Sequence, residues 1–151
     1  MGFKAVEEIH AYNLTRAFKL EVYRLIRSSP EARSDWRYRS QVREALAGAE
    51  SNISEGFARW VAGDFAHFLS FTRASLKEGL TRLQDGVDRE YFVLVECAKA
   101  QRLGVRALKA TTALQTSLRH LAEENRRKNR RRDQGPRTQD PGPRTKDPRP
   151  D

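Results

Sequence analysis

Six cations fall within seven residues at Arg126-Arg127-Lys128-Asn129-Arg130-Arg131-Arg132. A run of this kind suits one chemistry above others. Its guanidinium and ammonium groups neutralise phosphates and release condensed counterions, so its binding is salt dependent. No aromatic residue is interleaved with the run, so it implies no stacking on bases. The bland reading is a solvated charge cluster at a frayed helix end that only aids solubility. Composition leaves both readings open.

A second group of polar residues follows a helical rhythm. Asn52, Glu55 and Arg59 fall at i, i+3 and i+7, so they share one face. Ser75 and Glu78 are also one turn apart. Such a face either recognises a partner or forms a hydrogen-bonded network that fixes a helix corner. The second use is the commoner one for half-buried polar groups. Glu55 and Arg59 are spaced to pair, which contributes about 0.3–0.5 kcal/mol at an exposed position.

Other chemistries find little to work with. Cys97 lies in the mostly apolar stretch 92–98 with no neighbouring His in sequence, and reads as a buried structural thiol. His10, His67 and His120 are far apart, and no His-x-x-x-His spacing occurs. Gly-rich phosphate loops and nucleophile elbows are also missing. The expectation is a protein with no catalytic centre, metal, cofactor or small-molecule substrate.

Four long helices are predicted to carry these residues. The first covers His10–Ser28, with Leu14, Ala17, Phe18, Val22 and Leu25 inward, and ends at Ser28-Ser29-Pro30. A short polar connection through Asp35 and Trp36 leads to the second, about Arg37 to Arg59. Val42, Ala45, Leu46, Ala49 and Ile53 form its stripe. Gly56 near its end reads as a terminus or a close-contact point. The third begins near Gly63, with Asp64 as N-cap, and ends near Gly86. Phe65, Phe68, Leu69, Thr72, Leu76, Leu80 and Leu83 face inward. Asp88 is read as N-cap of the fourth, whose stripe runs Tyr91, Leu94, Ala98, Val105, Leu108 and Thr112. The stripe then shifts phase to Leu114, Leu118 and Leu121. Short connections favour an all-α, up-down-up-down four-helix bundle.

The domain reading is a bundle over residues 1–124 and a basic, Pro/Arg-rich disordered tail over 125–151. That tail holds ten Lys and Arg against four Asp, leaving the body nineteen basic and sixteen acidic residues. It also holds five of the six prolines, and a tandem repeat at 135–141 and 142–148 without a hydrophobic residue. The single cysteine fits a reducing cytoplasm. Phe92-Val93-Leu94-Val95 is far shorter than the ~20 apolar residues a membrane span requires. Trp36, Trp60 and Phe71 fall outside the helical cores and are either subunit contacts or isolated exposed residues.

Two ordered motifs add a family resemblance. Gln41, Arg43, Ala45, Asn52, Ile53, Glu55, Gly56 and Arg59 fit the pattern Q-x-R-R-A-x-x-S-I-x-x-N-I-x-E-G-x-x-R. Phe68, Leu69, Ser75, Leu76 and Glu78 fit F-L-x-x-A-x-G-S-L-x-E-L. Both patterns belong to the four-helix bundle proteins encoded in intervening sequences of bacterial 23S rRNA genes, which this chain resembles over about 12–120. It departs from them at Glu44, Gly48-Ala49, Thr72, Ala74 and Gly79. A similar fold occurs in the accessory variability determinant proteins of diversity-generating retroelements. The resemblance implies a homopentamer without a catalytic centre, and RNA or a reverse transcriptase as partner. Arg43 and Arg59, together with the 126–132 cluster read from its charge outside the resemblance, are the expected phosphate contacts. Gln41, Asn52, Ile53, Glu55, Gly56, Ser75 and Glu78 are expected to be structural.

Overall fold

A computed structural model describes residues 2–133, which are all-α, with no strand among them. A 3-10 turn at Val6–Glu8 leads into α1 (His10–Ser28). A short helix follows, α2 (Pro30–Ser34), and then α3 (Trp36–Ala58), α4 (Ala62–Asp88) and α5 (Ala98–Asp133). No helix among the described residues is long and apolar enough to cross a membrane.

The first three helices obey their local signals. Ser29 breaks from helical geometry, and its hydroxyl accepts from the Ala32 N–H at 3.1 Å. Pro30 fills the first helical position, where a missing N–H costs nothing. The short polar connection therefore carries a helix of its own, α2. Asp35 caps α3, its Oδ1 accepting from the Tyr38 N–H at 2.9 Å. Its other oxygen accepts from the Tyr91 hydroxyl at 2.7 Å and lies 3.6 Å from Arg89. These donors hold the Asp35 carboxyl below its ordinary pKa, the Tyr38 amide most of all.

Three expectations need correction. Helix α4 begins at Ala62 after an extended Val61, so Asp64 lies in its first turn and is not its cap. Asp88 ends α4 and does not start the next helix. Glu90 adopts the left-handed conformation, φ 61°, so that its N–H reaches the Val87 carbonyl and that of Tyr91 the Gly86 carbonyl. This paired closure terminates a helix and turns the chain back. Tyr91 and Phe92 then pack on Tyr38, with ring centroids 5.2 and 6.2 Å away. Helix α5 starts only at Ala98, and Leu94 is 66% exposed instead of inward.

The third correction concerns the α5 stripe. Ala100, Gly104, Ala107, Thr111, Gln115 and Leu118 are innermost, while Val105, Leu108 and Thr112 lie half-buried beside them. The large residues mark an edge of the buried face and the small ones its centre. The reason is Phe18. Its fully buried ring reaches the backbone of both α4 and α5. A Cβ on Gly104 would stand 2.9 Å from its Cζ, and one on Gly79 would stand 3.2 Å from its Cε1. Leu46 of α3 occupies the remaining space over Gly79. All four long helices meet at this level.

The core has two parts. One gathers Phe18, Val22, Val42, Leu46, Leu76 and Leu83. The other joins Ile9, Ile53, Phe65, Leu69 and Leu118, where α1 and α4 begin, α3 nears its end and the packed part of α5 finishes. Polar ties cross the helix pairs. Glu50 on α3 accepts from Tyr12 at 3.0 Å and Arg16 at 2.9 Å, and pairs with Lys19, all on α1. Glu21 on α1 pairs with Lys99 on α5 at 3.1 Å. Gln115, 1% exposed, donates to the Ala66 carbonyl and accepts from Arg73, both at 2.9 Å. The Tyr38 hydroxyl donates to the Arg82 carbonyl at 2.8 Å. Burial pushes the Glu50 carboxyl up, but donation from Lys19, Arg16 and Tyr12 outweighs it and holds the pKa below its ordinary value.

Three stability measurements follow from this packing. Gly104→Ala gains about 1 kcal/mol of helix propensity but puts a methyl 2.6 Å from Leu80 Cδ2 and 2.9 Å from the Phe18 ring. It should lose about 1–2 kcal/mol net in urea unfolding. Glu90→Gly removes the strain of a left-handed glutamate and should gain about 1 kcal/mol in the same assay. Glu50→Gln leaves Lys19 and Arg16 without their counter-charge and should cost about 3 kcal/mol at pH 7. Because the folded pKa of Glu50 is lowered, its contribution is complete above the unfolded value of about 4.3. It is lost as pH falls through the folded value, so the gap between wild type and Glu50→Gln should close in acid.

Candidate nucleic-acid interface

The cationic residues expected to contact phosphate separate into two places. Arg43 lies in the first half of α3, and Arg59 just past its end. Sixteen residues of helix put them about 24 Å apart along the axis and on nearly opposite sides. Arg59 is already engaged. It pairs with Glu55 at 3.1 Å, as its spacing predicts, and its guanidinium lies 5.3 Å from the Phe68 ring centre. Both partners draw it onto the bundle.

The cluster at 126–132 lies near the Arg59 end. Arg126 lines a hollow with Gly63, His67 and Arg119, and the backbone of Gly63 faces Ala122. Residues 125–133, expected to belong to a disordered tail, are helical here, because α5 continues without a break to Asp133. Charge repulsion does not stop it, since cations in the last turn are favoured by the helix dipole. From Glu123 onward every described residue is exposed. Arg126, Arg127, Lys128, Arg130, Arg131 and Arg132 thus spread around a projecting helix and not along one face. The repeat at 135–148 lies outside the described residues.

Arg43 has company that sequence reasoning missed. A groove of about 500 Å³ opens where α1, α2 and α3 meet. Helix α1 contributes Tyr23, Ile26 and Arg27, and α2 contributes Arg33. Helix α3 contributes Trp36, Arg39, Ser40 and Arg43. None of these lining residues is acidic. All four arginines are exposed, and none pairs with a carboxylate among the described residues. Glu44, the acidic departure from the family pattern, accepts instead from Ser40 at 3.2 Å. Trp36 is 72% exposed at the groove edge. The available signal was the density of arginine around an aromatic, Arg33, Trp36, Arg37, Arg39 and Arg43. It was obscured because α1 and α2 supply the rest.

The shared motif residues prove to be packing residues more than a network. Ile53 is fully buried. A Cβ on Gly56 would come within 2.7 Å of both Phe65 and Phe68, so its role is close contact between α3 and α4. Ser75 lies opposite Gly48, whose Cβ would stand 3.9 Å from its hydroxyl. Glu78 pairs along its own helix with Arg82 at 3.4 Å. Gln41 and Asn52 are half-buried and make no side-chain hydrogen bond among the described residues. The hydrogen-bonded corner expected from Asn52, Glu55, Arg59, Ser75 and Glu78 is therefore not formed. Apolar contact through Gly56 joins the two helices instead. Cys97 is buried, and burial pushes its thiol pKa up, away from a nucleophile's.

No curated protein matches the chain. The sequence model of the family described as 23S rRNA-intervening sequence protein matches residues 7–114. The matched span holds α1 to α4, most of the packed part of α5, both motifs and all of the arginine groove. It covers more than half of the chain, which therefore belongs to the 23S rRNA-intervening sequence protein family.

Proposed function

We propose that the chain is a non-enzymatic oligomeric adaptor. Its four long helices act as an up-down-up-down bundle that assembles into a homopentameric ring. Its partner is RNA, or an RNA-handling protein such as a reverse transcriptase, encountered in the cytoplasm. The observation that carries the RNA reading is the groove at Arg27, Arg33, Arg39 and Arg43, four unpaired guanidiniums with no carboxylate in the lining. Arginine forks suit phosphate oxygens, and unpaired ones attract them without first breaking an ion pair. The projecting helix at 126–132 supplies a second contact of lower selectivity. Repetition around a ring multiplies weak sites by avidity.

A second reading rests on a different surface. Val93, Leu94 and Val95 are 61%, 66% and 77% exposed in consecutive positions. A protein-interaction oligomer with no nucleic-acid role would use this strip, with the arginines only keeping it soluble.

The two readings separate in a salt series with a structured RNA. Glutamine at Arg27, Arg33, Arg39 and Arg43 should weaken binding and flatten the log–log salt slope by about 3, near 0.7–0.9 for each phosphate no longer neutralised. Neutralising residues 126–132 should flatten it further. Unchanged binding in both variants sinks the RNA reading and leaves the protein-interaction oligomer.

A further inference from the structure

The groove and the projecting helix differ in what they can distinguish. The helix offers charge on all sides and no flat surface. The groove pairs its charge with an exposed indole. Trp36, Arg39 and Arg43 occupy i, i+3 and i+7, one face of α3 spanning about 10 Å. Arg27 and Arg33 stand across from them on α1 and α2. Ile26, 7% exposed, lies with Tyr23 in the apolar part of the lining.

The backbone at Trp36 is fixed although its side chain is free. Asp35, directly before it, caps α3 through the Tyr38 amide and is itself held by the Tyr91 hydroxyl. Trp36 is the first residue of α3, so the cap sets the direction in which the indole leaves the helix. An aromatic left 72% exposed on a fixed backbone forgoes burial and keeps a face available for a planar ligand. The groove volume of about 500 Å³ suits a nucleotide or two and not a double helix.

Resting on the RNA reading above, we infer that this groove seats an unpaired nucleotide of a single-stranded RNA segment. Its base stacks on Trp36 while Arg27, Arg33, Arg39 and Arg43 hold the flanking phosphates. Paired bases keep their faces covered by stacking, so a duplex offers Trp36 nothing, whereas loops, bulges and ends do. Stacking is tolerant of base identity, so the site recognises strandedness more than sequence.

The test uses the full chain with Trp60→Phe, which leaves Trp36 as the sole tryptophan. Its fluorescence is followed on titration with a short single-stranded oligoribonucleotide, with the same strand annealed into a duplex, and with polyglutamate. The single strand should quench Trp36 saturably, and the duplex and polyglutamate should not. In a separate binding assay, Trp36→Ala should weaken single-strand binding roughly tenfold, and Trp36→Phe should retain most of it. Arg39→Gln with Arg43→Gln should weaken single-strand binding and flatten its salt dependence. If Trp36→Ala binds the single strand as tightly as wild type, the stacking inference is overturned. Equal quenching by polyglutamate also overturns it, making the groove a seat for acidic protein segments. Duplex binding without single-strand binding removes this inference while the RNA reading stands. If neither RNA binds, both fall together.

Discussion

Phe18 is the side chain that the rest of the bundle has to accommodate. Its ring is too large for the space between helices unless the helices opposite lack side chains at that level. Gly79 and Gly104 provide this absence, and Leu46 closes the remaining gap. A ring seated against two backbones fixes how closely α4 and α5 approach α1, and native-like packing density leaves little freedom elsewhere. From that distance follow the narrow face of small residues on α5 and the half-burial of its larger neighbours. Core contacts alone would still permit sliding. The ties through Glu50, Glu21, Gln115 and Tyr38 resist it, because each leaves a costly unpaired group if its helix shifts.

Much of this is legible from periodicity. The bounds of α1 and the buried faces of α3 and α4 follow apolar spacing, since large residues such as Leu46, Ile53, Phe65, Leu69, Leu76 and Leu83 recur at helical intervals on those faces. On α5 the same spacing points to the edge of the buried face, for a physical reason. Hydrophobic patterning follows the largest side chains, and here the closest contact is made by the smallest. The end of α4 is hidden because its closure uses a left-handed glutamate where glycine is the usual signal. Helix α2 is hidden because five residues carry too few turns to show a period.

Legibility of the candidate site divides along similar lines. The cluster at 126–132 is contiguous in sequence and visible at once, though its helical state is not. Arg43 stands out through the family pattern, without its surroundings. Arg27 and Arg33 reach the groove from separate helices, and only the packing of α1 and α2 on α3 brings them beside Trp36. Arg59 shows the converse. It matches the pattern as well as Arg43 does, yet its charge is matched by Glu55 and its guanidinium lies over Phe68. What separates the two arginines is local neutralisation, which a sequence of residue types does not record.

The last turns of α5 stand in solvent on every side from Glu123 to Asp133. Over about 16 Å, the helix there is sustained by propagation from the packed part and by its dipole, and opposed by repulsion among its own cations. Neither influence belongs to the core. This segment makes no contact with the core, so fraying there would leave Phe18 and every residue packed on it in place. Salt screens that repulsion, and an apposed polyanion neutralises it. The segment behaves as a charge-sensitive extension whose stiffness is decided outside the bundle that carries it.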